Sequence, residues 1–420
     1  MARLDDFLRY RRHPQAVQSA LRLALAMALP ARNKHWLQHA CAAARCAPSQ
    51  EWMRVIEGWT LARLDQVPVS TLWQWQAEET ATVHVGKAAI LKPATEDERG
   101  VIFISFESQW EKLLQLGSRR LAALAARYQL VVAPTWSPPH SPTNYVFPRL
   151  HPGTLPCTIS NVDDLHIFPR LHPSYAPVEL FASSWVNADL YHSRPRSERD
   201  IDLVMVANFG RYKRHHALFA ALARIPPGDR PKVTLIGQPH GARTQEVLER
   251  EMDDYGVHDC VTLRSRISDT EIVDLLGRSK AALITSLREG SCVAVVEAMM
   301  ADTPVALLEG ARIGSAHFLN RGTGALLNEQ QLHEQLPAFI KENYRSPRAW
   351  LLVSGIEHKT STRILEDHLR LLAQNRGEKW TRGLFAHHWR PDPLIALAPD
   401  AKLAKAAAER LELDFGLTIK

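Results

Sequence analysis

From Leu4 to about Ala77 the chain has no β-rich runs. Ala, Leu, Gln and Arg dominate, five tryptophans (Trp36, Trp52, Trp59, Trp73, Trp75) are scattered among them, and Pro30, Pro48 and Pro68 divide the stretch. This pattern predicts several short packed helices, a helical extension over 1–79. The texture changes near Thr80. Val83 to Leu91 reads as an edge strand and Val101 to Phe106 as a short, fully buried one. Leu113, Leu114, Leu121 and Leu124 fall at helical spacing between Trp110 and Tyr128, and Leu130 to Ala133 then reads as a second strand, so a βαβ unit is predicted. A loop rich in proline and histidine follows, Ser137 to Pro156, with strand-like pieces at Cys157–Ser160 and Val178–Ala182. Only a short stretch separates Trp136 from the next strand, so a reduced Rossmann-like lobe is expected over 80–195. Tyr191 to Asp200, charged and interrupted by Pro195, reads as a linker.

From Ile201 the alternation becomes regular. Strands are predicted at Leu203–Val206, Val233–Ile236, Val261–Leu263, Ala281–Thr285 and Pro304–Leu308, with a helical segment between each pair. Ser268 and Glu271 form a capping box ahead of Ile272, Leu275 and Leu276. This is the pattern of a doubly wound parallel α/β domain over 196–346, whose ligands sit at the carboxyl ends of the strands. A mostly helical tail is expected over 347–420.

Composition narrows the function classes. Of 420 residues 45% are hydrophobic and 23% charged, which is globular. The longest apolar run, Leu23 to Ala31, is far short of the roughly 20 residues of a spanning helix, so an integral membrane protein is not expected. Five cysteines (Cys41, Cys46, Cys157, Cys260, Cys292) offer neither a pairing framework nor a metal cluster, and a cytoplasmic setting is expected. Residues 1–60 hold nine Arg or Lys against four Asp or Glu, +5 of a net +6. Two readings fit that patch: contact with an anionic surface such as the inner face of a membrane, and a solvated helical face.

The chemistry concentrates in residues 286–310, SLREGSCVAVVEAMMADTPVALLEG. A strand ends at Ser286, a turn carries Glu289 and Gly290, and a helix starts near Ser291, Cys292 and Val293. Exposed amides at such a corner hold phosphate or sugar oxygens, and a carboxylate beside them accepts from hydroxyls. Glu297, further along the helix, can face the same cleft. A second cluster, Val206 to Arg214, places Gly210, Arg211, Lys213 and Arg214 between a strand end and a helix start. Cations there oppose the helix dipole, which favours a phosphate partner over a merely solvated role.

Ser286, Glu289, Gly290, Glu297, Ala298, Met299, Thr303, Pro304 and Val305 stand in the order found in retaining nucleotide-sugar glycosyltransferases of the two-Rossmann (GT-B) architecture. The segment from about 200 to 345 resembles that group, usually called glycosyltransferase family 4, and Gly322, Thr323 and Gly324 look like its following turn. The resemblance implies an α/β, GT-B type fold with two Rossmann-like domains beside the amino-terminal helical extension. It implies transfer of a sugar from a nucleoside diphosphate sugar to a glycan or lipid-linked acceptor with retention of configuration, without metal or other cofactor and without a nucleic-acid partner. Carried over residue by residue, Lys213 holds the donor diphosphate, Glu289 the donor sugar and Glu297 the ribose, with Gly210, Gly290, Ser291, Cys292 and Val293 beside them and Arg264 to Ile267 near the base. Asn208 stands where the family has an arginine; Arg211 is the substitute the residues themselves suggest. The first lobe departs from the family: Ser105, Phe106, Glu107, Ser108 and Gln109 replace its Gly-rich loop. No motif singles out an acceptor-side histidine among His140, His151, His166 and His172. Asp200 and Asp202 lie at a strand start, the wrong end for a ligand, and read as structural. A GT-B-like scaffold that binds sugar nucleotide or glycan without turnover remains a rival, as does, from net charge alone, nucleic-acid binding.

Overall fold

The computed structural model describes residues 8–10, 12–136, 138–344, 346–389 and 393–419. The chain divides into two compact units. One comprises the described residues up to Ala182 with those from Thr362 onward; the other is Ser183–Ser361.

The first unit opens with helices Arg12–Ala28, His35–Arg45, Gln50–Leu64 and Val69–Gln74. Trp36 is fully buried among them and meets Trp59 and Trp75 edge-on at 5.9 and 6.3 Å, with the Arg63 guanidinium 4.9 Å from its ring. Ser49 caps the third helix, its Oγ accepting from Trp52 N at 3.2 Å. The sheet runs β2 (Ala88–Lys92), β3 (Gly100–Ser105), β4 (Tyr128–Ala133), β5 (Leu155–Ile159), β6 (Tyr175–Phe181) in that spatial order, with β2 antiparallel and the rest parallel. β3 and β4 are buried along their whole length, as their uninterrupted apolar runs require.

Three elements here differ from the pattern reading. Val83–Leu91 is two strands, because Lys87 takes a left-handed φ of 53° and breaks the run; β1 (Val83–Val85) leaves this sheet to pair in parallel with β15 (Leu417–Ile419) at the far end of the chain. The proline- and histidine-rich stretch contains a helix, Pro142–Leu150, whose first proline sits where a helix needs no amide hydrogen. The stretch from 347 on divides between the units and adds a hairpin of β13 (His387–Trp389) and β14 (Pro393–Ile395) to its helices.

The second unit is a six-stranded, all-parallel sheet: β7 (Ile201–Val206), β8 (Val233–Gly237), β9 (Val261–Ser265), β10 (Ser279–Ile284), β11 (Val305–Leu308) and β12 (Gly324–Leu327), in spatial order β12-β11-β10-β7-β8-β9. Counted from β7 this is the doubly wound order 3-2-1-4-5-6, so the connection reverses direction between β7 and β10. Both units are thus α/β and Rossmann-like, with the helical region at the amino-terminal side. Tyr191–Asp200 belongs to the second unit and is pinned to it: Arg199 Nη1 donates to Ser279 O at 2.8 Å and Thr303 Oγ1 at 3.1 Å, and Arg194 pairs with Asp274 at 2.5 Å. Close strand approach explains two glycines. A Cβ on Gly237 would lie 2.1 Å from Ala207 O, and one on Gly324 2.0 Å from Val305 O.

Candidate functional site

The switch point between β7 and β10 brings the two chemical segments together. After β7 the chain runs through Ala207–Gly210 into a tight 3₁₀ turn, Arg211–Lys213, and enters the helix His215–Ala223 through Arg214 at a left-handed φ of 57°. After β10, Thr285 and Ser286 lead into the Glu289–Gly290 corner and the helix Val293–Met300. Thr285 stitches the two: its Oγ1 donates to Lys213 O at 2.6 Å, and Arg214 Nη1 donates to Thr285 O at 3.2 Å. Lys213 is thereby aimed across the crevice, where its Nζ lies 2.5 Å from Glu289 Oε1. Burial works to lower the Lys213 pKa, but Cys292, charged only in the alkaline range where lysine itself titrates, and the Glu289 carboxylate outweigh it and raise it above the ordinary lysine value. The Cys292 thiol is pushed up to about 12 by burial and by Glu289, so it is a neutral group here.

The corner after β10 is held from behind. Ser183 N donates to Ser291 Oγ at 3.0 Å, the Ser183 and Ser291 hydroxyls are 2.6 Å apart, and Ser315 Oγ donates to the Ser291 carbonyl and lies 3.1 Å from Ser183 Oγ. Gly314 N donates to Gly290 O at 2.7 Å and Glu289 N to Arg312 O at 3.0 Å. Cys292 enters the helix at φ 54°. Ser291 therefore fixes the corner with its side chain, leaving backbone groups for a ligand. Ser286 Oγ, two residues past the end of β10, is buried with no hydrogen-bond partner. Glu297 is buried on the same helix.

Of the residues read from sequence, Asn208, Gly210, Lys213, Glu289, Gly290, Ser291, Cys292, Val293 and Glu297 all lie on these two segments. Asn208 shapes its own loop, its Oδ1 accepting from Gly210 N at 3.0 Å and its Nδ2 donating to Tyr212 OH at 2.7 Å. Arg211 is exposed, whereas Arg214 is the buried cation, paired with Glu329 Oε1 at 2.6 Å. Arg264 lies outside the crevice loops: β9 continues to Ser265 and Arg264 is an exposed member of that edge strand, paired in register with Ile236. Asp200 and Asp202 sit at the opposite end of the sheet, in ion pairs with Arg278 at 2.6 Å and Lys280 at 2.7 Å.

Pattern reading missed the roles of Thr285, Tyr212, Ser183, Ser315 and Arg214. The basic run 211–214 flagged Arg214, but nothing local marks the left-handed turn that buries it. His215, also unremarked, is buried and its pKa falls to about 3 through burial and the charges of Arg243 and Lys213. In the first unit His151 is buried with its pKa lowered to about 4, His172 bonds Ser174 Oγ through Nδ1 at 2.8 Å, and His166 is exposed. Among the described residues no group of three or more His, Cys, Asp or Glu is placed to hold a metal, and no helix is long and apolar enough to cross a membrane.

Residues 189–350 match the family model of glycosyl transferases group 1. The match coincides with the second unit and contains both segments of the crevice. A search of curated proteins finds no match. Solved structures give partial likenesses. A sucrose-phosphate synthase from Thermosynechococcus elongatus has TM-score 0.49 at 16% identity, over 65% of this chain and 74% of that one. Anabaena HepE in complex with UDP has 0.47 at 15%, over 76% and 82%. The pneumococcal O-GlcNAc transferase GtfA has 0.44 at 12%, over 60% of this chain and 54% of that one, so the chain spans about half of that structure's length.

Proposed function

We propose that the protein is a retaining glycosyltransferase that moves a sugar from a nucleoside diphosphate sugar to a glycan or lipid-linked acceptor without a metal ion. The observation that carries this reading is the Lys213–Glu289 pair at the switch point of a group 1 glycosyltransferase domain. A cation poised beside a helix start meets the charge that develops on a departing diphosphate, and the amides of Ser291, Cys292 and Val293 add to it. On donor binding Lys213 exchanges Glu289 for phosphate oxygens, which frees the carboxylate to accept from sugar hydroxyls. Glu297 accepts from the ribose, and Gly210 lets backbone approach the phosphates. Arg211 extends the donor site from its exposed rim, and the carboxyl end of β9, with Arg264, lies toward the base. The leaving phosphate itself takes the acceptor's proton.

Contact of residues 1–60 with an anionic membrane surface is part of this proposal, since a lipid-linked acceptor is delivered there; Arg11 and residues 1–7 lie outside the described residues. A second reading, a binding scaffold without turnover, draws on Asn208, whose side chain is spent on its own loop in the place of a family arginine. Turnover decides between them. Incubating the full chain with UDP-, GDP- and ADP-sugars should release the nucleoside diphosphate from one class of donor. Tight binding of one class with no release of nucleotide, with acceptor glycans or lipids supplied, would select the scaffold.

A further inference from the structure

The helix Arg12–Ala28 is built inside out. Its inward side carries Gln15, Ser19 and Ala26, all buried: Ser19 Oγ donates to Ala43 O at 2.9 Å and accepts from Trp52 Nε1 at 2.9 Å, and Ala26 O accepts from Arg63 Nη1 at 2.9 Å. Its outward side is apolar. Val17, Leu21 and Leu25, one turn apart, are 59%, 61% and 50% exposed, Met27 is 58% exposed, and the exposed Ala20, Ala24 and Ala28 fill the stripe between them. Water selects the opposite arrangement on a surface helix, so a continuous stripe of this kind marks a surface that is covered in use.

Charge identifies the cover. Between Asp6 and Glu51 the sequence holds six arginines and one lysine and no acidic residue. A second copy of the chain would set this cationic stretch against itself, and a soluble polyanion would answer the charge but leave the leucines in water. An anionic lipid leaflet answers both.

We propose that the outward face of the helix Arg12–Ala28 docks on an anionic lipid leaflet, with Val17, Leu21, Leu25 and Met27 entering the interfacial region and the neighbouring arginines meeting lipid phosphates. This names the element and the mode of the membrane contact proposed above, and it rests on that contact. It uses no residue of the donor crevice.

The test is co-sedimentation of the full chain with vesicles of equimolar phosphatidylglycerol and phosphatidylcholine, and with phosphatidylcholine alone. The parent protein should bind the anionic vesicles, retain much of that binding in high salt, and bind neutral vesicles weakly. Leu21→Gln and Leu25→Gln, neutral changes at exposed helical positions, should each lower partitioning roughly tenfold while circular dichroism and donor turnover in solution stay at parent level. Leu21→Ala, which only trims apolar surface, should lose less. A parent that ignores anionic vesicles removes the membrane contact altogether. Binding that salt abolishes and the leucine variants leave untouched removes the apolar docking. A parent that self-associates, and becomes monomeric in Leu21→Gln with no change in vesicle binding, assigns the face to a second copy instead.

Discussion

The two sheets turn their carboxyl ends to different uses. In the second unit the loops after β7 and β10 bring Lys213 and Glu289 together beside a helix start, with Glu297 buried further along that helix and Ser286 Oγ buried without a partner after β10. In the first, the corner after β3 is occupied by its own contacts. Phe106 adopts a φ of 69° that glycine would take without strain, its N donates to Ala133 O at 2.9 Å, Glu107 Oε2 accepts from Thr135 N at 3.0 Å, and Gln109 Oε1 accepts from Gly86 N at 3.0 Å. One oxygen of the Glu107 carboxylate therefore organises the turn, while the other, Oε1, is buried without a partner as Ser286 Oγ is. On the proposed function, the same α/β architecture would carry donor chemistry where the loop side chains face the crevice and not where they are spent on the neighbouring strand.

The largest effect expected from this contrast is on Lys213. Lys213→Ala should lower kcat on the order of 10² to 10³ with a smaller rise in donor KM, since the interaction strengthens as the diphosphate departs. Its counterpart in the first unit, Phe106→Gly, should leave kcat at the parent level; it exchanges backbone strain for a lost edge contact with Trp389 at 5.7 Å, and stability should shift by about 1 kcal/mol at most in denaturant unfolding.

A smaller effect belongs to Glu297. Glu297→Gln should weaken donor binding about tenfold in calorimetry, in line with losing a hydrogen bond to a charged group, and leave the fold intact. Unchanged affinity would remove Glu297 from the site. Within the basic loop, Arg214→Ala should destabilise the protein by about 1–3 kcal/mol, because it strips Thr285 O and Glu329 of a buried donor, whereas Arg211→Ala, at an exposed position, should change stability little. Arg211→Ala lowering the rate as far as Lys213→Ala would make Arg211 the substitute for the family arginine.

The smallest contrast is in acid. His215 and His151 are buried in different units with pKa values lowered to about 3 and about 4, so each unit contains a histidine that folds neutral. The unfolded chain binds the protons first, near the ordinary histidine value of 6.5. The stabilisation is therefore complete above that pH and is lost as pH falls toward the folded values. Replacing either histidine by Gln should flatten the decline of melting temperature between pH 6 and 4; a slope unchanged by both variants would refute it.

Five strands of the second sheet were legible because apolar runs alternate with amphipathic helices, whereas β12, four residues beginning at Gly324, was read as a turn; of the capping box the Ser268 half is present, Ser268 Oγ accepting from Glu271 N at 3.2 Å. Pairing of β1 with β15 was not, since nothing local joins residues more than three hundred positions apart. Prolines disguised the helix Pro142–Leu150, which accepts one at its start and Pro148 inside. In the site, Lys213 and Glu289 were each visible from their motifs, but their ion pair depends on Thr285 holding the Lys213 carbonyl, a contact between two loops. Arg264 was placed in a loop because the apolar alternation of β9 fades before the strand ends.

The central claim is that the crevice between β7 and β10 holds the donor. Hydrogen exchange of the full chain, with and without the nucleoside diphosphate sugar that it turns over or binds best, reads this directly. Donor should slow exchange in 208–214 and 286–297 and leave the corner at 105–109 unchanged. Protection confined to the first unit, or absent from both second-unit segments at saturating donor, would contradict the account.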